Sequence, residues 1–152
     1  MINSSGKTAI TRKTLSLPMK WLEKHNMLAC NRPNRRLDYG CGKGFDADTL
    51  GFQKYDLNHF PTLPQGKFDV ITCIYVLNVI PDVAERQAVC DNILDLLADC
   101  GTAYIAVRND LDALKGTTSK GTWQGNVEPP RHPWGGPVYK CAGFRLYAHT
   151  KL

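Results

Sequence analysis

The segment Leu37-Asp38-Tyr39-Gly40-Cys41-Gly42-Lys43-Gly44 sets an acid two residues ahead of three glycines at alternate positions. Glycine lets a backbone turn sharply and lie against a ligand, and a helix that follows presents free N–H groups. Three ligand classes use such a turn, and spacing separates them. The dinucleotide fingerprint Gly-x-Gly-x-x-Gly fails because its third glycine would fall at Phe45. The phosphate loop Gly-x-x-x-x-Gly-Lys-[Ser/Thr] fails because Gly44 follows Lys43 and position 37 is Leu37. What remains is Asp38-x-Gly40-x-Gly42-x-Gly44, where the carboxylate repels a pyrophosphate but tolerates a cation. The plainer alternative is a glycine-rich turn with no ligand.

Other reactive side chains are scattered. Six cysteines (Cys30, Cys41, Cys73, Cys90, Cys100, Cys141) form no Cys-x-x-Cys pair, and His25, His59, His132 and His149 show no ligand spacing, so no metal site is expected. The apolar run holds Ile74-Tyr75-Val76-Leu77 with no Asp/Asn-Pro-Pro-Tyr, and the chain has no Pro-Cys pair. Tyr75 and Asn78 are the polar side chains best placed to touch a substrate; the alternatives are core packing for Tyr75 and a helix-start role for Asn78. Trp123 and Trp134, in a basic Gly/Pro-rich stretch, either stack on a base or cap the core.

Elements that position these residues follow from periodicity. Leu15 to Leu28 reads as an amphipathic leading helix with Pro18 in its first turn. A short strand through Arg36-Leu37-Asp38 enters the turn. Phe68 to Leu77 is a nearly unbroken apolar and β-branched run, as in a strand buried on both faces. Asp82 and Glu85 have capping-box spacing before a helix carrying Val89, Ile93, Leu96 and Leu97, with Gly101 as its stop. Thr102 to Val107 is the next strand, so strand, helix and strand imply a right-handed parallel crossover. Phe144, Leu146 and Ala148 alternate with polar residues in a closing strand.

At 152 residues the chain is read as one domain, with a basic lead (1–36), a core (37–112) and a loop-rich end (113–152). These carry net charges of +7, −7 and +5 respectively. Basic flanks folded to one side would form a positive rim for a phosphate-bearing partner; solubilising tails are the alternative. Without an apolar leader or an 18-residue apolar run, a cytoplasmic protein with no membrane partner is expected.

The motif Asp38-x-Gly40-x-Gly42-x-Gly44 resembles the first motif of class I S-adenosylmethionine-dependent methyltransferases. The resemblance implies an α/β fold: a Rossmann-like three-layer sandwich, its sheet mostly parallel with an antiparallel C-terminal strand. It further implies that Asp38 lies near the aminopropyl end of S-adenosyl-L-methionine, while Tyr39, Gly40, Cys41, Gly42 and Gly44 make room for the methionine part. Asp56, beside Leu57, would accept from the ribose hydroxyls, a plain turn acid being the alternative. Cys73, Ile74 and Tyr75 would emerge beside the methyl group. Together with Lys120-Gly121-Thr122-Trp123-Gln124, the wording is most similar to methyltransferases associated with DNA phosphorothioation and to small phage methyltransferases. One departure is clear. Asp56 follows Gly44 by twelve positions and Phe68 follows Asp56 by twelve more, so the region of the third strand, with its adenine-contacting acid, is trimmed. The expected function is methyl transfer to a nucleic acid or nucleotide, with Trp123, Gln124 and Arg12 on the substrate. The alternatives are a cofactor-binding module or partner subunit without chemistry, and a methyltransferase acting on a small molecule or protein.

Overall fold

The computed structural model describes residues 10–110, 116–117 and 123–152. Along them run α1 (Leu17–Lys24), β1 (Arg36–Tyr39), α2 (Phe45–Leu50), β2 (Gln53–Tyr55), β3 (Phe68–Ile74), α3 (Val83–Leu96), β4 (Leu97–Arg108), β5 (Gly116–Thr117), β6 (Trp123–Gln124), α4 (Arg131–Trp134), β7 (Tyr139–Lys140) and β8 (Phe144–Thr150). Six strands form one sheet in the order β2-β1-β3-β4-β8-β7, and β5 pairs only with β6. The first four strands of that order are mutually parallel, whereas β8 runs antiparallel to β4 and β7 antiparallel to β8.

Apolar clusters on the two faces of the sheet make three layers. One cluster packs Ile93 of α3 against Leu37, Phe68, Ile71, Ile105 and Tyr147. The other packs Met19 and Leu22 of α1 and Ala47 of α2 against Phe52, Val70 and Leu146. This is the expected Rossmann-like sandwich with its antiparallel end. No strand lies between β2 and β3 in sequence, so three-residue β2 is the sheet edge and the third-strand region is indeed trimmed.

Local chemistry explains where elements start and stop. Arg36 occupies the first position of β1 because its guanidinium lies over the Phe52 ring and donates to the carbonyls of Leu28, Pro33 and Leu50. Asp82 caps α3 by accepting from the Ala84 N–H at 3.0 Å. The reciprocal half of the expected capping box is missing, for Glu85 Oε2 makes no bond back to the cap. Nor does Gly101 stop α3. The helix ends at Leu96, and β4 begins at once through an irregular stretch in which Phe68 pairs Leu97 and Val70 pairs Thr102. A Cβ on Gly101 would lie 2.9 Å from the Ala98 carbonyl, so glycine there admits the irregularity. Among the described residues no helix is long and apolar enough to cross a membrane.

Candidate active site

All four parallel strands release functional side chains at their C-terminal ends, where an open α/β sheet binds ligands. Tyr39, Tyr55, Ile74 and Arg108 are the last residues of β1, β2, β3 and β4, and all line one cavity of about 460 Å³. The glycine turn forms its floor. Gly40, Gly42 and Gly44 hold φ of 82°, 58° and 89°, in the left-handed region that favours glycine. At Gly40 space is short as well: a Cβ would fall 2.4 Å from Val76 Cγ2. The turn is anchored to β2, because Gly40 and Cys41 both donate to the Tyr55 carbonyl, at 2.7 and 3.0 Å.

Asp56 ties the site together. Its Oδ2 accepts from the Gly42 N–H at 2.9 Å, and its Oδ1 accepts from Asn58 and His59 N–H at 2.9 and 3.0 Å. One carboxylate thus fixes the glycine turn and the loop leaving β2.

Asp38 is buried on β1, where its Oδ1 accepts from the Thr72 hydroxyl at 3.0 Å. Burial pushes this carboxyl up to about 7, the neighbouring Asp46 charge adding to the rise and the Thr72 bond opposing it. Burial likewise lifts Tyr75 and Cys41 to about 12, so neither ionises near neutrality. Tyr75 holds φ 61°, a strained geometry for a non-glycine residue, and its N–H donates to the Ala106 carbonyl at 2.9 Å. That left-handed residue is why β3 ends at Ile74 although the apolar run continues to Leu77.

The entrance is tied to the core by a second acid. Asp46, in the first turn of α2, accepts from the Ser16 N–H at 3.0 Å and the Ser16 hydroxyl at 2.7 Å. This holds the segment bearing Ile10, Arg12 and Leu17 against the cavity rim. On the far wall Arg108 grips Asp110 through two bonds of 2.8 and 2.7 Å.

A family model described as a methyltransferase domain matches residues 14–138. The chain belongs to the methyltransferase-domain family. Comparison with curated proteins gives no match. Solved structures share the architecture at low identity. DhpI in complex with SAM and HEP aligns with a TM-score of 0.61 and 15% identity, covering 99% of this chain and 94% of that one. A SAM-bound amino pentose methyltransferase from Micromonospora echinaspora gives 0.57 and 13%, covering 89% and 90%. The N-methyltransferase NodS from Bradyrhizobium japonicum, in complex with S-adenosyl-L-homocysteine, gives 0.54 and 15%, covering 97% and 96%.

Within this methyltransferase domain the cavity gathers most residues singled out from sequence: Asp38, Tyr39, Gly40, Cys41, Gly42, Gly44, Asp56, Leu57, Ile74, Tyr75, Asn78, Gln124 and Arg12 all line it. Two do not. Cys73 is fully buried in the core cluster under α3, because side chains alternate along β3 and its neighbours take the other face. Trp123 is absent from the wall; it packs on Gly125 and lies beneath the Arg86 guanidinium, 5.9 Å from the ring centroid. Trp134 is buried in the core cluster, so it caps the core. Among the described residues Arg12 is the one cation of the basic lead that lines the cavity, and the described part of the C-terminal segment brings Gln124 and Gly143 but no cation. Lys115 and Lys120 lie outside the described residues. Sequence reasoning passed over Asp46 and Arg108, and treated Glu85 only as a cap; all three face the cavity.

Proposed function

We propose that the domain catalyses methyl transfer from S-adenosyl-L-methionine, which supplies an activated methyl group on a sulfonium. The observation carrying this reading is the bond between Gly42 N–H and Asp56, which sets the glycine turn and the β2 acid in one wall of one cavity. The residues fit the ligand. Five acids (Asp38, Asp46, Asp56, Glu85, Asp110) against three cations (Arg12, Lys43, Arg108) suit a molecule bearing positive charge and no phosphate. Gly40 leaves open the space that a Cβ would take beside Val76. Gly40, Gly42 and Asp38 would hold the methionine end, and Asp56 the ribose. In-line displacement from an activated leaving group asks the protein chiefly for orientation, which the fixed backbone at Tyr75 and the rigid turn provide.

For the methyl acceptor, the basic flanks support a nucleic acid or nucleotide. The acidic excess in the wall favours a second reading, a small molecule carrying an amine, which accords with neighbours named for an amino pentose and for N-methylation. The narrower resemblance to phosphorothioation-associated and phage enzymes rests on motif wording alone.

Calorimetric titration with S-adenosylmethionine tests the cofactor. Micromolar binding is expected, weakened in Asp56→Ala, and absence of heat from the unmodified protein sinks the reading. Labelled-methyl transfer to nucleotides, DNA and amines, each across a salt series, separates the acceptors, since only binding to nucleic acid falls steeply with salt. Binding without turnover on any of these would favour a cofactor-binding module.

A further inference from the structure

Two buried acceptors face the cavity without a donor. Asn78, 1% exposed, sits in the single 3-10 turn after β3. Its Nδ2 donates to Gln124 Oε1 at 3.1 Å and its backbone carbonyl accepts from Gly125 N–H at 2.9 Å, yet its Oδ1 has no partner among the described residues. Glu85, in the first turn of α3, likewise has an Oε2 shut off from solvent and unpartnered among the described residues. Both residues line the cavity, together with apolar Ile80 and Val89. The adjacent cation is directed elsewhere: Arg86 donates to the Ile80 carbonyl and its guanidinium lies over Trp123.

Burying an acceptor without a donor is costly, more so when it is charged, so such atoms persist where a ligand completes them. Glu85 as a carboxylate only accepts, and Asn78, on the same cavity, has one acceptor left. A group with at least two N–H bonds satisfies both.

We propose that Asn78 and Glu85 form an amino-recognition subsite of this cavity, beside Ile80 and Val89. This rests on the reading of the cavity as an S-adenosylmethionine site. The amino group has two sources of the same chemistry: the exocyclic amine of the cofactor's adenine, for which this trimmed domain has no third-strand acid, or an amine on the methyl acceptor.

The test compares binding of S-adenosylhomocysteine with that of its inosine counterpart, in which a carbonyl replaces the adenine amine, to the unmodified protein, Glu85→Ala, Asn78→Ala and the conservative Glu85→Gln. In parallel, benzylamine and benzyl alcohol are examined by saturation-transfer NMR, with and without S-adenosylhomocysteine. Thermal melts confirm that each variant folds, and Glu85→Gln, which keeps the side-chain volume, serves if the alanine forms do not. A preference of about tenfold or more for the adenosine form, lost in the variants, assigns the subsite to the cofactor. Equal binding of the two nucleosides, with benzylamine but not the alcohol bound and lost in the variants, assigns it to the acceptor. Neither dependence overturns the proposal. Should S-adenosylhomocysteine not bind at all, the cofactor reading falls, and the benzylamine comparison on the free protein still decides the subsite.

Discussion

Thr72 donates its hydroxyl to the carboxyl of Asp38 across the β1–β3 pair at 3.0 Å, with both side chains closed to solvent. One neutral donor does not replace the water that burial removes. The carboxyl therefore sits at about 7 instead of the ordinary 3.8, burial being the main cause and the Asp46 charge the next. Between those values the folded protein keeps a proton that the unfolded chain gives up. Stability falls as pH rises through this window and levels off above about 7. Asp38→Asn cannot ionise, so its melting temperature should gain on that of the unmodified protein as pH is raised from about 5 to 8. A constant difference across that range removes the buried ionisation from the account.

The same titration gives cofactor binding a direction. A cationic ligand favours ionised Asp38, so affinity for S-adenosylmethionine should strengthen as pH rises toward about 7 and then plateau, each unit below costing up to roughly tenfold. Calorimetry in several buffers checks this, and Asp38→Asn should bind weakly with little pH dependence. Unchanged affinity from about pH 5.5 to 8 in the unmodified protein contradicts it.

Gly40→Ala tests whether the turn is as tight as its contacts indicate. The new Cβ would meet Val76 Cγ2 at 2.4 Å on a backbone with φ 82°, combining a clash with left-handed strain. A loss of about 1–3 kcal/mol in urea unfolding is expected, with weaker cofactor binding. Adding Val76→Ala relieves the clash but not the strain and should restore part of the loss. If the double variant is no better than Gly40→Ala, the Val76 contact is not what confines the turn.

The parts of this structure legible in the sequence were those written in short-range patterns. Glycine spacing located the turn, the β-branched run located β3, and the twelve-residue gaps revealed the missing strand. What escaped depended on partners far apart in the chain. Ser16 and Asp46 are thirty positions apart and neither has a motif. The apolar run to Leu77 could not show that Tyr75 would turn left-handed, because the Ala106 carbonyl that receives its N–H belongs to another strand. Glu85 was hidden by a local rule: its spacing from Asp82 fits a capping box, and the unpartnered Oε2 at the cavity emerges only once β3 and α3 are packed. Glycine at 101 signalled a helix stop, whereas its small size serves a strand irregularity against Phe68 and Ala98.

Replacing Asp56 should be felt twice. Asp56→Ala frees three backbone N–H groups, those of Gly42, Asn58 and His59, and is expected to cost about 1–3 kcal/mol in stability as well as cofactor affinity. Asp56→Asn keeps an acceptor for some of these donors, so it should recover much of the stability while affinity stays low. If it recovers both, the charge on Asp56 has no part in binding.

Asp46 offers a way to weaken the entrance apart from the glycine turn. It is buried, and it receives both the backbone N–H and the hydroxyl of Ser16, just ahead of Leu17 and α1. Ser16→Ala removes one of these bonds and should cost about 1 kcal/mol; Asp46→Ala removes both and should cost about twice that. Asp46 also holds the Asp38 carboxyl up by charge repulsion, so Asp46→Asn should lower the pH at which cofactor binding reaches its plateau. Hydrogen exchange locates the structural effect: amides from position 10 to 17 should lose protection in Asp46→Ala while those of β3 and β4 keep theirs. Uniform loss across the sheet would mean that Asp46 supports the whole core and not the entrance segment.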